Sequence, residues 1–162
     1  MGEMLNSSKP KELHLELASM TDVLDEAVGL ALDRIKLNQM ELQQHYPKNL
    51  PRMLIDKEKI KIALLNILIN AIEAMTPGKG LLKVVATTNN RILTLAIHDN
   101  GKGIPESDIG KLFDPFFTAK QSGMGLGLTS TKNILASHCA HIDVQSELNI
   151  GTTFYISFKI EE

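Results

Sequence analysis

The chain has 162 residues, of which 43% are hydrophobic, and its formal net charge is -2. These values indicate one globular domain with a sizeable core and argue against a nucleic-acid or membrane-surface binder. The single cysteine, Cys139, excludes an internal disulfide and fits a reducing compartment. No apolar run approaches the roughly 18 residues of a membrane span and no signal peptide is evident. We therefore expect a cytoplasmic domain, whose parent protein is either soluble or membrane-anchored.

The N-terminal residues predict a lead-in followed by one domain. Residues 1–11 are polar and linker-like, and the domain is expected to cover residues 12–162. Its first residues, 12–19, fit either a short strand or the tail of a preceding helix.

A helix and two strands are predicted next. The helix opens at Thr21-Asp22 and places its apolar residues on one face. These residues are Leu24, Ala27, Val28, Ala31 and Ile35. Alternating apolar and polar residues predict a half-buried strand between Asn38 and His45. A loop then leads to a short strand at Met53–Ile55.

The most apolar helix is predicted to begin after Asp56, a good N-cap, and to end near Met75, before a Pro-Gly pair. Nearly every residue after its first turn is apolar, so most of its circumference should be buried. Asn66, Asn70 and Glu73 are exceptions, and their i, i+4, i+7 spacing puts them on one stripe. The two amides either bond neighbouring backbone or face a polar ligand, and the helix alone does not choose.

The second half of the chain alternates between strands and a helix. The predicted elements are strands at Leu81–Thr88, Ile92–Asp99, Ile142–Ser146 and Thr152–Ile160, and a helix at Leu126–His138. Asn89-Asn90 signals a hairpin, and residues 101–125 predict a long loop with one helical turn. This pattern favours an α+β, two-layer α/β sandwich, with a mixed, mostly antiparallel sheet packed against about three helices.

Two polar residues fall on the apolar faces of predicted strands. Asp99 shares the apolar face of its strand, where a carboxylate needs a donor. Asp99 either caps the following turn or, with Gly101 and Gly103 allowing close backbone approach, contacts a flat ligand. Thr152 lies on the apolar face of the last strand. It is either an ordinary threonine at a strand start or, paired with Asp99, the residue that completes a polar patch for a nucleobase.

A glycine-rich segment, residues 123–128, runs directly into the last predicted helix. Free backbone N–H groups at a helix N-terminus form a phosphate cradle. The segment matches neither the dinucleotide fingerprint nor the Walker loop, so alone it is weak evidence. The five histidines lack metal-binding spacing and no Ser/His/Asp arrangement is readable, which argues against zinc enzymes and hydrolases.

Four motifs nevertheless follow one another in order. They are Asn66-xxx-Asn70-Ala71, Asp99-x-Gly101-x-Gly103, Phe113-x-Pro115-Phe116-Phe117-Thr118-x-Lys120 and Gly123-x-Gly125-x-Gly127. Together they resemble the N box, first glycine box, F box and second glycine box of sensor histidine kinases. Their catalytic ATP-binding domain belongs to a superfamily shared with DNA gyrase, a heat-shock chaperone and mismatch-repair ATPases. The resemblance covers about residues 12–160 and implies the Bergerat-type ATP-binding fold with a mobile lid.

The resemblance also implies roles for the matched residues. Asp99 would take the adenine amino group beside Thr152, Asn70 would offer its amide oxygen to Mg²⁺, and Asn66 would lie beside the phosphates. Lys120 is either a lid residue that reaches the terminal phosphate or a solvated loop lysine. The remaining nucleotide-binding positions are Gly101, Gly103, Gly123, Gly125, Leu126 and Gly127, and the lid anchors are Phe113, Phe116 and Phe117. Glu73 has no role that the resemblance assigns.

Two features depart from the family pattern. Cys139-Ala140 replaces the usual Gly-Gly turn after the final helix, which leaves the conformation of that loop open. The phosphoacceptor stretch is missing, since His14-Leu15-Glu16-Leu17 is only a faint echo of it. The other histidines, none of them in such a stretch, are His45, His98, His138 and His141.

The resemblance implies that the chain binds ATP and Mg²⁺. It would transfer the γ-phosphate to a histidine on a separate phosphoacceptor/dimerisation domain of the parent kinase, a phosphoprotein that signals to a response regulator. The alternatives are an ATP-driven conformational switch and a regulatory ATPase or binding module of the same superfamily. The hydrolysing relatives carry a glutamate as general base where this chain has Asn66, which favours the kinase. We expect the isolated domain to be a monomer without nucleic-acid partners.

Overall fold

The computed structural model describes residues 13–114 and 124–160, except for the side chains of residues 124–127. The strands are β1 (Glu16–Ser19), β2 (Glu41–His45), β3 (Arg52–Ile55), β4 (Leu81–Asn89), β5 (Ile92–Asp99), β6 (His141–Glu147) and β7 (Gly151–Lys159). The helices are α1 (Met20–Leu37), α2 (Lys57–Ala74), the one-turn α3 (Glu106–Ile109) and α4 (Met124–Ser137). The expected lead-in, residues 1–11, lies outside the described residues.

Five strands form the main sheet, in the order β2-β4-β5-β7-β6. β2 runs parallel to β4, and the other neighbours are antiparallel. Strand alternation turns one face of β4, β5 and β7 into the core. The buried side chains of this face include Leu82, Val84, Leu93, Leu95, Ile97, Phe154, Ile156 and Phe158. α2 packs on β5 and lies between α1 and α4, so the predicted two-layer sandwich is confirmed.

β1 and β3 form a second, smaller sheet. β1 pairs antiparallel with β3, so Glu16–Ser19, within the segment predicted as either a short strand or the tail of a helix, is a strand. That β3 would leave the main sheet and pair with β1 was not predicted. No helix in the described part of the chain is long and apolar enough to span a membrane.

α2 begins and ends where its sequence predicts. Asp56 is the N-cap, and its carboxylate accepts hydrogen bonds from the backbone N–H groups of Lys59, at 3.3 Å, and His14, at 3.0 Å. Burial raises the pKa of this carboxyl, but the two N–H donors, together with the positive charges of Lys59 and His14, outweigh burial and hold the pKa below its ordinary value. The Asp56 N–H donates to His138 Nε2 at 3.1 Å, which ties the end of α4 to the start of α2.

The boundary between α1 and β2 differs from the prediction. α1 starts at Met20, with Ser19 as its N-cap, one residue before the predicted start. The strand predicted from Asn38 begins at Glu41, because Asn38 and Gln39 belong to the end of the helix. Gln39 has φ 53° and closes the helix in the left-handed conformation that glycine usually supplies.

The hairpin between β4 and β5 turns one residue later than predicted. Asn89 is the last residue of β4 and pairs with Ile92, so the two-residue loop is Asn90-Arg91. Both loop residues have positive φ, 54° and 66°, as a hairpin turn that matches the strand twist requires. The prediction of Asn89-Asn90 was wrong because an arginine occupies a position that usually favours glycine.

α4 begins at Met124, two residues before the predicted start. Its buried residues Leu128, Thr131 and Leu135 recur at helical spacing, and the helix continues N-terminally from them despite two poor helix formers, Gly125 and Gly127.

The loop after α4 keeps a glycine-type helix end without glycine. Cys139 has φ 59°, its N–H donates to the Ala136 carbonyl, and the Ala140 N–H donates to the Leu135 carbonyl, both at 2.9 Å. This pair of bonds defines a Schellman end. The conformation that Cys139-Ala140 left open is therefore the one that a glycine would adopt.

Candidate active site

Asp99 ends β5 on the buried face of the sheet, as the alternation predicts. Its side chain is 1% exposed, and its Oδ1 accepts a hydrogen bond from the Gly101 N–H at 2.8 Å. Asp99 therefore caps the turn that follows β5, as one of the two interpretations of this residue predicted. The next residue, Asn100, accepts from the Leu81 N–H at 2.9 Å and fixes the end of β5 to the start of β4.

Thr152 lies directly opposite Asp99 on β7 and is 3% exposed. Its hydroxyl is 2.8 Å from the hydroxyl of Ser146, which lies opposite Thr152 on β6. The three side chains therefore form a polar row across β5, β7 and β6. Ser146 was not among the predicted site residues, although the inward alternation of Ile142 and Val144 would have placed it on this face.

Three glycines lie where backbone segments meet beside this row. A Cβ on Gly101 would overlap the Ala74 carbonyl, 2.7 Å from its carbon, and would lie 2.9 Å from Asp99 Oδ1. A Cβ on Gly103, which has φ 77°, would lie 2.8 Å from the carbonyl carbon of Glu147, and one on Gly151 would overlap the Asp99 carbonyl. These contacts explain the glycines within the chain, and their approach to a ligand stays a prediction.

The polar stripe of α2 faces its two neighbouring helices. Asn66 Nδ2 donates to Thr131 Oγ1 on α4 at 3.3 Å, and Thr131 is completely buried. Glu73 lies 4.0 Å from the Arg34 guanidinium of α1. Asn70, between them, is half-buried. Asn66 therefore bonds a side chain of another helix, which neither interpretation of the stripe predicted. The only indication in the sequence that Thr131 faces the core is its helical spacing from the apolar residues of α4.

Phe113, the first residue of the F-box motif, is held against α4. Thr129 Oγ1 lies 3.0 Å from the carbonyl oxygens of both Phe113 and Asp114, and Lys132 Nζ lies 5.4 Å from the centre of the Phe113 ring. Phe113 also packs against the core, as expected for an anchor. The other two expected anchors, Phe116 and Phe117, lie outside the described residues.

The second glycine motif is described only in part. The backbones of Gly125, Leu126 and Gly127 lie in the first turn of α4 rather than in a loop before it. Lys120 and Gly123 lie outside the described residues, so their predicted roles at the phosphates stay predictions.

His98 faces away from the polar row. Its Nδ1 is 2.8 Å from Thr153 Oγ1 on the other face of the sheet, as the alternation predicts. Burial and, secondarily, nearby Lys83 lower the pKa of His98 below 6.5. His98 therefore lies on the face of the sheet opposite Asp99 and Thr152.

The amide of Asn70 would fit a magnesium ion that is held mainly by a nucleotide. Among the described residues, no three histidine, cysteine, aspartate or glutamate side chains cluster as a self-sufficient metal site. Mg²⁺ at phosphates usually takes one or two protein oxygens and fills its remaining positions with phosphate and water. The neutral amide of Asn70 is suited to that role.

Comparisons with known proteins show the family of this chain. Residues 55–162 match the family described as histidine kinase-, DNA gyrase B-, and HSP90-like ATPase. Sporulation kinase A of Bacillus subtilis (strain 168) is 31% identical over 159 residues, which are 98% of this chain and 26% of that protein. The chain thus spans about a quarter of the length of this relative.

Solved structures agree on the fold. The catalytic domain of histidine kinase ThkA has a TM-score of 0.81 at 26% identity, covering 91% of this chain and 96% of that one. ThkA in complex with response regulator protein TrrA gives 0.80 at 25% identity, covering 99% of this chain and 46% of that one. The predicted resemblance is confirmed, and the chain belongs to the histidine kinase-, DNA gyrase B- and HSP90-like ATPase family as a histidine kinase-type ATP-binding domain.

Proposed function

We propose that this chain binds ATP with Mg²⁺ and transfers the γ-phosphate to a histidine on a separate phosphoacceptor domain of its parent kinase. The observation that carries the proposal is the buried Asp99, which lies opposite Thr152 at the end of the central strand β5. The turn that follows Asp99 contacts the last residue of α2, Ala74. A carboxylate on an apolar floor recognises an exocyclic amino group, because that group can donate to it.

In the proposed complex, the adenine amino group donates to Asp99. Asn70 would hold Mg²⁺ through its amide oxygen, and the bound ion would supply charge neutralisation at the phosphates. Asn66, which donates to Thr131, would lie beside the phosphates. The proposed role of Lys120, which lies outside the described residues, is to stabilise the charge that develops on the γ-phosphate. During transfer the bond from the γ-phosphorus to the β–γ bridging oxygen breaks and a phosphorus–nitrogen bond to the imidazole forms. ADP leaves, and the imidazole proton passes to solvent.

The nucleotide site is tested by Asp99→Asn. We expect this change to weaken ATP binding by about 1.5–3 kcal/mol, the scale of a charge-assisted hydrogen bond. Asp143→Asn is the matched control, because Asp143 is an exposed carboxylate on β6 of the same sheet. Calorimetry on folded proteins would refute the site if Asp99→Asn and Asp143→Asn bound ATP equally well.

Phosphotransfer is tested with ATP labelled at the γ-phosphate. Asn66 cannot act as a general base for water, so the chain alone should hydrolyse ATP slowly and should not label itself. Adding the phosphoacceptor domain of the parent kinase in trans should produce acid-labile label on that domain, slowly because no covalent tether raises the effective concentration. Brisk phosphate release without that domain would instead favour a regulatory ATPase.

A response regulator is the proposed partner of the parent kinase. ThkA, which shares this fold, has been solved in complex with response regulator protein TrrA, and this supports the same class of partner here. A cytoplasmic location is proposed on the same grounds, since phosphotransfer to such a partner needs cellular ATP.

A further inference from the structure

The Ser146 hydroxyl joins the loop after Asp99 to the floor of the proposed adenine site. It accepts a hydrogen bond from the Ile104 N–H at 2.8 Å and lies 3.1 Å from the Gly151 carbonyl oxygen. Its third partner is the Thr152 hydroxyl, at 2.8 Å. One half-buried side chain therefore holds three backbone or side-chain groups beside the polar row.

The positions of the hydroxyl protons follow from these contacts. A serine hydroxyl has one proton and two lone pairs, and the Gly151 carbonyl can only accept. All three bonds form together only if Ser146 donates to Gly151 and accepts from both the Ile104 N–H and the Thr152 hydroxyl. The Thr152 proton then points along the sheet toward β6, away from Asp99 on β5.

We propose that Ser146 is a specificity-determining positioning residue, which fixes the Thr152 hydroxyl so that Asp99 and Thr152 present acceptors alone to the nucleobase. This inference rests on the proposed function, in which the base lies against these two residues. Such a floor favours the 6-amino group of adenine, which carries two hydrogens. It disfavours the 6-oxo group of hypoxanthine or guanine, which would meet two further acceptors.

The test compares ATP with inosine triphosphate (ITP), which carries an oxo group in place of the amino group. Without Ser146, Thr152 can rotate and donate to the oxo group, so Ser146→Ala should reduce the preference for ATP over ITP by about tenfold. The Kd of each Mg-nucleotide is measured by calorimetry on the 162-residue chain. A merely structural role would weaken both nucleotides together and leave their Kd ratio unchanged.

Two variants separate the rotation of Thr152 from general damage. Ser146→Thr keeps a hydroxyl and should retain the parent Kd ratio. In a Thr152→Val background, Ser146→Ala should cause no further change in the ratio, since the rotating hydroxyl is gone. Thr153→Val, one residue along β7 and facing the other side of the sheet, is the control that should leave the ratio at its parent value.

The outcomes distinguish this inference from the function on which it rests. An unchanged ratio in folded Ser146→Ala, with ATP binding still weakened by Asp99→Asn, overturns the role of Ser146 and leaves the site intact. No effect of Asp99→Asn overturns both. If Ser146→Ala does not fold, Thr152→Val alone tests the inference. Because this change removes the Thr152 hydroxyl as an acceptor, it should by itself lower the preference for ATP over ITP. A preference equal to that of the parent chain refutes the inference.

Discussion

The contact between Gly101 and the end of α2 gives a sharp prediction about stability. Gly101 is buried, and a methyl group there would overlap the Ala74 carbonyl, whose oxygen accepts the Lys102 N–H at 3.0 Å. Overpacking of this kind costs about 1–3 kcal/mol, and displacing the carbonyl removes a hydrogen bond of about 1 kcal/mol. Gly101→Ala should therefore reduce the free energy of unfolding by about 2–4 kcal/mol.

Gly29→Ala is the matched control. Gly29 lies in the exposed middle of α1, and a Cβ there would meet nothing within 4 Å. Because alanine is the better helix former by about 1 kcal/mol, the same substitution should be stabilising at this position. The two changes add the same methyl group, so opposite signs would come from the different backbone conformations and neighbours of the two positions.

Urea unfolding followed by circular dichroism measures both effects. Gly101→Ala should also weaken ATP binding, since its methyl group crowds the Asp99 oxygen that faces the turn. The reasoning is refuted if Gly101→Ala stays within about 0.5 kcal/mol of the parent with an unchanged dependence on urea. It is equally refuted if Gly29→Ala is the more damaging of the two.

Three further predictions concern other positions. Cys139→Gly should stabilise the chain by about 1 kcal/mol in thermal unfolding, because glycine adopts the left-handed conformation without steric cost, and a loss of stability would contradict this. Asp56→Ala should cost about 1–2 kcal/mol through loss of the α2 cap, and an effect below about 0.5 kcal/mol would argue against it. Because the pKa of His98 is lower in the folded chain than in the unfolded chain, the unfolded chain takes up a proton on His98 at higher pH. The free energy of unfolding should therefore fall as the pH drops below 6.5. His98→Gln should flatten that dependence in urea titrations across this range, and an unaltered slope would assign it to another group.

Strand alternation carried most of what could be predicted about the site. It placed Asp99 and Thr152 on the buried face and His98 on the other, because side-chain direction in a strand depends only on parity. The same rule, applied to β6, would have found Ser146. That Asp99 and Thr152 lie directly opposite each other is a matter of register, which parity does not determine.

The positions that sequence did not predict depend on tertiary contacts or on unusual backbone. Gln39, Arg91 and Cys139 all adopt positive φ without being glycine, so turn residues gave no signal there. The bond between Asn66 and Thr131 joins residues of two helices that the chain alone does not bring together. The early start of α4 likewise overrides the poor helix propensity of glycine.

The central position of β5 between β4 and β7 has a consequence for folding. A two-residue turn connects β5 to β4, so these strands can pair locally. β5 pairs with β7 only after the chain closes a loop of roughly fifty residues, and such long-range pairings form more slowly than local ones. Asp99 and Thr152 become neighbours in that second step alone. A nucleotide that needs both residues would bind the finished fold and not its precursors, so ATP at about a hundred times its Kd would add about 2.7 kcal/mol to the stability of the native state. Cellular ATP would then act on this domain as a folding ligand, protecting newly made chains from proteolysis as soon as β7 is in place.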